Sequence, residues 1–293
     1  MASTSGSPSP STFLRWTALM VVAASIAFIV NYSQLGQSAT ITEMLSQYGA
    51  ALVPKAFAQA IGVAIMATFG VFLVDALRRR RRRMRLYDEL AVALAVCSVL
   101  AAGWVVAFRH GEITLAFALV AANLILSCAM FVRVATAASG EPTSWLRIPC
   151  GLFFGAMTVA ASVALTQWLN AGEVLATTAV TLHDEATALL AIGVAAGGLV
   201  ALRYGDVVYP AVIASCAGAM FIAQRASDPA FAAAALTVGV GMLVVAGLGA
   251  VALSRRRARN AAAGASRRSA KRVPGPVGET WYLTEPSTSI MRH

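Results

Sequence analysis

The chain has 293 residues, of which 58% are hydrophobic and only 12% are charged, and its formal net charge is +10. An ordinary soluble domain carries about 25% charged residues, so this chain lacks the polar side chains that would cover a water-facing surface of its size. Together with a mean hydropathy of +0.72, this excludes a soluble globular protein and favours a chain whose surplus apolar surface contacts lipid.

The first 12 residues are rich in Ser, Pro and Thr and are predicted to be disordered. The apolar run over 16–30 follows, and Asn31 comes next rather than a small-residue cleavage site. We therefore interpret this run as an uncleaved first span and not as a signal peptide.

Further apolar segments follow along the chain, each long enough to cross about 30 Å of hydrocarbon at about 1.5 Å per residue. They run over 54–77, 88–108, 112–136, 146–169, 184–202, 207–224 and 229–253. The predicted fold is therefore all-α: a polytopic transmembrane helical bundle with about eight spans.

The placement of arginine predicts the orientation of these spans. Arginines follow the second, fourth and sixth spans and fill the C-terminal tail, whereas 31–53 and 170–183 contain none. Because cytoplasmic loops carry the excess of Arg and Lys, we expect a multi-pass protein of the cell membrane with both termini in the cytoplasm. An even number of spans requires the same arrangement of the termini.

Two basic groups, Arg78–Arg85 and Arg255–Arg272, each flank an apolar segment. We expect them to contact anionic lipid headgroups beside a span, and we predict no nucleic-acid partner. The second group belongs to residues 254–293, which are predicted to form a basic, disordered cytoplasmic tail.

No pattern predicts catalysis. The chain lacks a P-loop, a GxSxG and an HExxH motif, and no CxxC joins its four cysteines. His110 and His183 lie at the predicted outer ends of spans without a third metal-ligating partner. We therefore predict no enzyme, no catalytic residue, no metal site and no required cofactor.

Polar side chains at membrane depth are costly, so those that occur are informative. Gln59, Asn123 and Gln167 fall inside predicted spans and could either join helices by hydrogen bonds or line a ligand pocket. Aromatic side chains could supply the flat walls of such a pocket or simply fill the bundle. The candidate ligand-binding residues are Phe57, Gln59, Trp104, Phe108, Asn123 and Phe153.

Several short stretches, taken in order, carry a resemblance to a known family. They are Asn31-Tyr32 with Gly36, Ile41, Glu43, Tyr48, Val53-Pro54 and Phe57; Trp104 with Phe108, Arg109-His110 and Gly111; Trp145 to Pro149 with Phe153 and Gly155 to Ala160; Gly205 to Tyr209; and Asp228-Pro229. The set resembles tryptophan-rich sensory protein homologues of the TspO/MBR (translocator protein) superfamily, in their long bacterial form, over about residues 15–253. In two places the chain departs from the family pattern: Ala60-Ile61-Gly62 replaces a tryptophan, and Ala101 replaces an asparagine.

The resemblance implies a five-span core over 13–170, a three-span extension over 171–253, and a hydrophobic ligand such as a tetrapyrrole. Two other functions remain open. One is a structural or interaction protein that docks through its basic tail or its Gly-rich spans, including as a homodimer. The other is a transporter of lipophilic molecules, although Pro210 is the only plausible helix break and no carboxylate lies near a span centre.

Overall fold

The computed structural model describes part of the chain in detail. The described residues are 10–34, 69–72, 74–75, 85–137, 144–171, 191–192, 195–196, 198–200, 202–226 and 228–270. All regular structure within these ranges is helical, which confirms the predicted class.

The long helices are numbered here in chain order. They are α1 (Pro10–Gln34), α2 (Arg85–Arg109), α3 (Ile113–Ala137), α4 (Arg147–Ala171), α5 (Val208–Gln224) and α6 (Pro229–Ala270), and a short 3₁₀ turn, Ser144–Leu146, precedes α4. Each covers an apolar segment predicted from the sequence to be a span.

Four stretches in the described ranges are long and apolar enough to cross a membrane: Arg85–Arg109, Ile113–Ala137, Arg147–Leu169 and Pro229–Arg255. Phe13–Ile29 and Val208–Gln224 are shorter apolar helices. The predicted spans over 54–77 and 184–202 lie mostly outside the described residues, so the total of eight remains a prediction. The helical membrane bundle itself is confirmed.

A glycine in the left-handed conformation ends α2 and turns the chain into α3. Gly111 has φ +77°, a conformation that side chains with a Cβ rarely adopt. Its N–H donates to Phe108 O at 3.1 Å, and the N–H of Glu112 donates to Ala107 O at 3.0 Å. These two bonds form a Schellman motif, which satisfies the last carbonyls of α2 and makes α2 and α3 neighbours.

Aspartates cap the first turns of α5 and α6. Asp206 Oδ2 accepts from the N–H of Tyr209 at 2.9 Å, and Asp228 Oδ1 accepts from the N–H of Phe231 at 3.0 Å. Pro229 then occupies the first position of α6, where its missing N–H costs nothing. The Asp206–Tyr209 and Asp228-Pro229 stretches of the family pattern therefore serve as local helix-start signals in this chain.

Helices that follow each other in the sequence pack against each other: α1 on α2, α2 on α3, α3 on α4, and α4 on α5. Aromatic rings fill the main core between them. Phe131 stacks on Phe154 with centroids 5.7 Å apart, and Phe154 meets Tyr209 at 4.6 Å. Such ring pairs contribute about 0.5–1.5 kcal/mol beyond their buried area.

Helix α4 approaches α5 closely through Gly151 and Gly155, which lie four residues apart. A Cβ placed on Gly155 would lie 2.9 Å from Val212 Cβ, and one on Gly151 would lie 3.1 Å from Val208 Cβ. Two glycines on one face let two backbones come together, which is how dispersion joins helices in lipid. On α6, Gly239 similarly faces Ala214 and Ala217 of α5.

The chain remains helical beyond residue 253, where a disordered tail was predicted. Helix α6 continues to Ala270, although the chain divides into two units after Leu253. The helix over 254–270 has a local reason, because Ala and Arg are strong helix formers and a helix already formed extends without a new nucleation step; the tail as a separate region stays a prediction. Residues 271–293 lie outside the described ranges.

Adding one methyl group at the α4–α5 contact should destabilise the bundle. We expect Gly155→Ala to lower the stability by roughly 1–3 kcal/mol through overpacking against Val212, measured by thermal unfolding in detergent. Gly247→Ala is the matched control, since nothing lies within 4 Å of a Cβ at that position. The double variant Gly155→Ala/Val212→Ala should recover part of the loss. Equal stability of Gly155→Ala and Gly247→Ala would contradict the close approach.

Candidate functional site

Charged side chains form a layer at one end of the bundle, where α1, α2 and α4 begin and α3 ends. Arg15, whose side chain is 2% exposed, donates through Nε to Asp88 Oδ1 at 2.6 Å. Arg133 donates through Nε to Glu89 Oε2 at 2.9 Å. This charged layer joins α1 to α2 and α2 to α3, and it shows that α1 and α2 run parallel while α3 runs against them.

Tyr87 extends the charged layer into the core. Its hydroxyl donates to Asp75 Oδ2 at 2.8 Å, its ring stacks on Phe72 with centroids 5.5 Å apart, and the Arg15 guanidinium lies 5.9 Å from the ring centroid. Tyr87 thereby ties the segment that contains Phe72 and Asp75 to α1 and α2.

Arg147 and Asp206 join three parts of the chain at the same end. Arg147 donates to Ala135 O at 2.9 Å and to Tyr204 O at 3.4 Å. Asp206 is 4% exposed; its burial raises its pKa, while the N–H groups of the first turn of α5 and the nearby Arg147 act in the opposite direction. The junction holds the start of α5 against the start of α4.

At the opposite end, aromatic rings from three helices meet. We define the aromatic cluster as Trp104, Phe108, Phe117 and Trp168. Trp104 and Phe108 lie on α2 with centroids 6.0 Å apart, and Phe117 of α3 stacks on Trp168 of α4 at 5.4 Å and 18°. Trp104 and Trp168 pack against the same small apolar group, which consists of Ala107, Phe108, Ile113 and Ala116.

Three buried polar atoms in this half of the bundle have no hydrogen-bond partner among the described residues: Trp104 Nε1, Gln167 Nε2 and Asn123 Oδ1. Asn123 does use its amide nitrogen, which donates to Cys97 O of α2 at 3.2 Å. A buried donor or acceptor without a partner costs about 1–3 kcal/mol. These atoms therefore mark places where the bundle itself does not provide a partner.

The predicted ligand-binding residues do not all meet. Trp104 and Phe108 lie together in the aromatic cluster, and Asn123 lies halfway along α3 against the middle of α2. Phe153 belongs to the main core, where it packs edge-on against Phe69 at 4.9 Å. It precedes Trp168 by 15 residues of α4, which is about 22 Å along the helix axis. Phe57 and Gln59 lie outside the described residues.

Sequence reasoning missed two members of the aromatic cluster. Trp168 has the position of an ordinary interfacial tryptophan at the end of a span, and Phe117 has no distinguishing neighbour in the sequence. Only the contact between α3 and α4 identifies them as a stacked pair.

The remaining reactive side chains do not form a second centre within the described ranges. No three His, Cys, Asp or Glu side chains there converge as a metal site. Each of the four cysteines is a free thiol, and three of them are buried in the bundle: Cys97, Cys150 and Cys216. They pack as small apolar residues.

Comparison with known protein families matches residues 15–248 to the TSPO-like protein model. The chain belongs to this family. No curated protein and no solved structure matches it. Members of the TSPO-like family are generally not enzymes, and the family assignment agrees with the apolar helices in identifying a multi-pass membrane protein of the TspO type.

The match to the TSPO-like model continues past residue 170, where the sequence resemblance placed the end of a five-span core. It includes all of α5 and most of α6. Helix α5 also packs on α4, and the division into a five-span core and a three-span extension stays a prediction.

The buried carboxyl group of Asp206 predicts a particular pH dependence. Its pKa is raised above the ordinary value of 3.8, so the unfolded chain releases this proton at a lower pH than the folded chain, and stability decreases as the pH rises between the two pKa values. Asp206→Asn should remove this decrease and keep an oxygen that can cap α5. The melting temperature of Asp206→Asn in detergent, relative to that of the wild type, should therefore increase as the pH rises towards neutral.

The control is Asp206→Ala, which removes the titrating group and also the cap, so it should be less stable than Asp206→Asn by about 1 kcal/mol at every pH. If the wild type and Asp206→Asn show parallel melting curves from acidic to neutral pH, burial does not control this carboxyl group.

Proposed function

We propose that this TSPO-like membrane protein binds a flat hydrophobic ligand, such as a tetrapyrrole, at the aromatic cluster. The observation that carries the proposal is the meeting of two tryptophans and two phenylalanines from α2, α3 and α4 at the end opposite the charged layer. Rings contributed by three helices can present flat faces to a planar ligand. Because aromatic side chains have few rotamers, binding costs them little conformational entropy.

The exposure of the cluster also supports binding. Trp104, Phe117 and Trp168 are half-buried, so part of each ring lies on the outside of the described bundle. A hydrophobic ligand dissolved in lipid could reach these faces without entering water. The main core around Phe131 and Phe154 offers no comparable access, because both rings are buried.

The ligand test uses protoporphyrin IX and the purified protein in detergent. Binding is measured from the absorbance of the porphyrin, which does not depend on the number of tryptophans. We expect saturable binding, and we expect Trp104→Ala and Trp168→Ala each to raise Kd about tenfold through loss of a ring contact worth about 1 kcal/mol or more.

Trp16→Ala is the matched control, since Trp16 is 47% exposed on α1 and lies outside the aromatic cluster. It should bind like the wild type. Absence of saturable binding, or equal effects of Trp16→Ala and Trp104→Ala, would refute the proposed site.

We further propose that the protein lies in the cell membrane with both termini and the charged layer on the cytoplasmic side. Arg85, Arg133 and Arg147 occupy this one end of the described bundle, and a cytoplasmic face is where Arg collects. The basic groups Arg78–Arg85 and Arg255–Arg272 would then contact anionic lipid headgroups of the cytoplasmic leaflet.

The orientation can be checked with a membrane-impermeant maleimide applied to intact cells. Glu112→Cys, in the turn between α2 and α3, should be labelled. Ser254→Cys should be labelled only after the membrane is permeabilised, and the wild-type chain reports the background from its own thiols. The reverse pattern would invert the proposed topology.

A further inference from the structure

We infer that the ligand of this protein carries a hydrogen-bond acceptor, such as a carboxylate or a carbonyl, and that Trp104 Nε1 and Gln167 Nε2 donate to it. The inference rests on the proposed function and makes it more specific. It starts from two atoms that the aromatic cluster alone does not explain.

Gln167 is the more informative of the two residues. Its side chain is only 2% exposed, yet its amide nitrogen has no hydrogen-bond partner in the described part of the chain. Hydrocarbon offers no substitute, and burying an amide without a partner costs about 1–3 kcal/mol by protein mutational data. An apolar residue of the same size at this position would make the folded protein more stable. We therefore infer that Gln167 has a role other than stabilising the fold.

The other polar side chains of α4 show how this helix normally satisfies such groups. Thr158, Ser162 and Thr166 each donate to a carbonyl one turn earlier, at 2.9, 2.9 and 3.1 Å. Thr166 is the direct neighbour of Gln167 and is equally buried. Gln167 departs from this pattern, since no carbonyl among the described residues receives its amide N–H.

Trp104 supplies a second donor of the same kind. Its indole N–H is buried and has no partner among the residues that the structure describes. Trp104 and Trp168, the residue after Gln167, pack against one apolar group at the same end of the bundle. An indole nitrogen and an amide nitrogen can only donate. Two unsatisfied donors at one end of the bundle favour a ligand with a hydrogen-bond acceptor. The flat aromatic faces beside them favour a ligand whose acceptor is attached to an apolar ring system.

The experiment compares two porphyrins with the same ring. Protoporphyrin IX carries two carboxylates, whereas octaethylporphyrin carries none. The wild type in detergent should bind protoporphyrin IX about tenfold more tightly, since each hydrogen bond to a charged acceptor contributes substantially to affinity. Gln167→Met keeps the volume and removes the donor, and Trp104→Phe keeps a ring and removes the N–H. Both should weaken protoporphyrin IX binding severalfold, and by a larger factor than octaethylporphyrin binding, so that the preference for protoporphyrin IX becomes smaller.

The stability of the ligand-free protein separates a ligand-binding role from a structural one. Gln167→Met should melt at or above the wild-type temperature, because it removes a buried group without a partner. Thr166→Val is the matched control on the same turn of α4: it breaks an intrahelical bond and should leave the preference between the two porphyrins as it is in the wild type. A clear fall in the melting temperature of Gln167→Met would mean that Gln167 is bonded within the protein, which would overturn the inference.

The binding results distinguish this inference from the proposed function. A wild type that binds neither porphyrin refutes both. Two results would refute only the inferred hydrogen bonds to an acceptor on the ligand and would still support the aromatic site. One is equal binding of both porphyrins by the wild type, and the other is a Gln167→Met variant that keeps the preference for protoporphyrin IX.

Discussion

Within a bilayer a protein must satisfy its polar groups from its own atoms, because hydrocarbon supplies neither donors nor acceptors. This constraint makes the backbone helical, and it also governs the side chains that join the helices. Arg15 is buried but reaches Asp88 at 2.6 Å, and Arg147 reaches two carbonyls from different parts of the chain. The charged layer can therefore hold four helices in register while each of these guanidinium groups donates to at least one acceptor, although Arg147 Nε has no partner among the described residues.

The same constraint makes buried polar atoms without a hydrogen-bond partner informative. A TSPO-like bundle of this kind satisfies Thr158, Ser162 and Thr166 within α4, whereas Trp104 and Gln167 retain donors without partners among the described residues. Natural proteins commonly give up stability at binding sites. The two ends of the bundle thus differ in their side chains: ion pairs and capped helix starts join one end, whereas the other combines half-buried aromatic rings with the donors of Trp104 and Gln167.

Close packing connects these two ends. Gly151 and Gly155 bring α5 against α4, and Tyr209 places its hydroxyl 3.1 Å from that of Thr158. Dispersion is strongest where backbones approach each other, so α4 has a well-defined neighbour along its first half. Its second half carries Gln167 and Trp168 towards the aromatic cluster, which means that the position of the proposed site depends on how α4 is held at its other end.

The sequence alone determined the elements of this protein. Apolar runs of sufficient length predicted the helices, and the low charge content predicted the membrane, since both follow from local composition. The ordered stretches from Asn31 to Pro229 also pointed to the TspO superfamily. Tertiary structure decided which side chains meet. The spans are apolar around most of their circumference, so the sequence does not specify which face of a helix points inward. For this reason Phe153 could be grouped with Trp104 although about 22 Å of helix separates it from Trp168, and the stack of Phe117 on Trp168 appeared only when α3 and α4 were packed together.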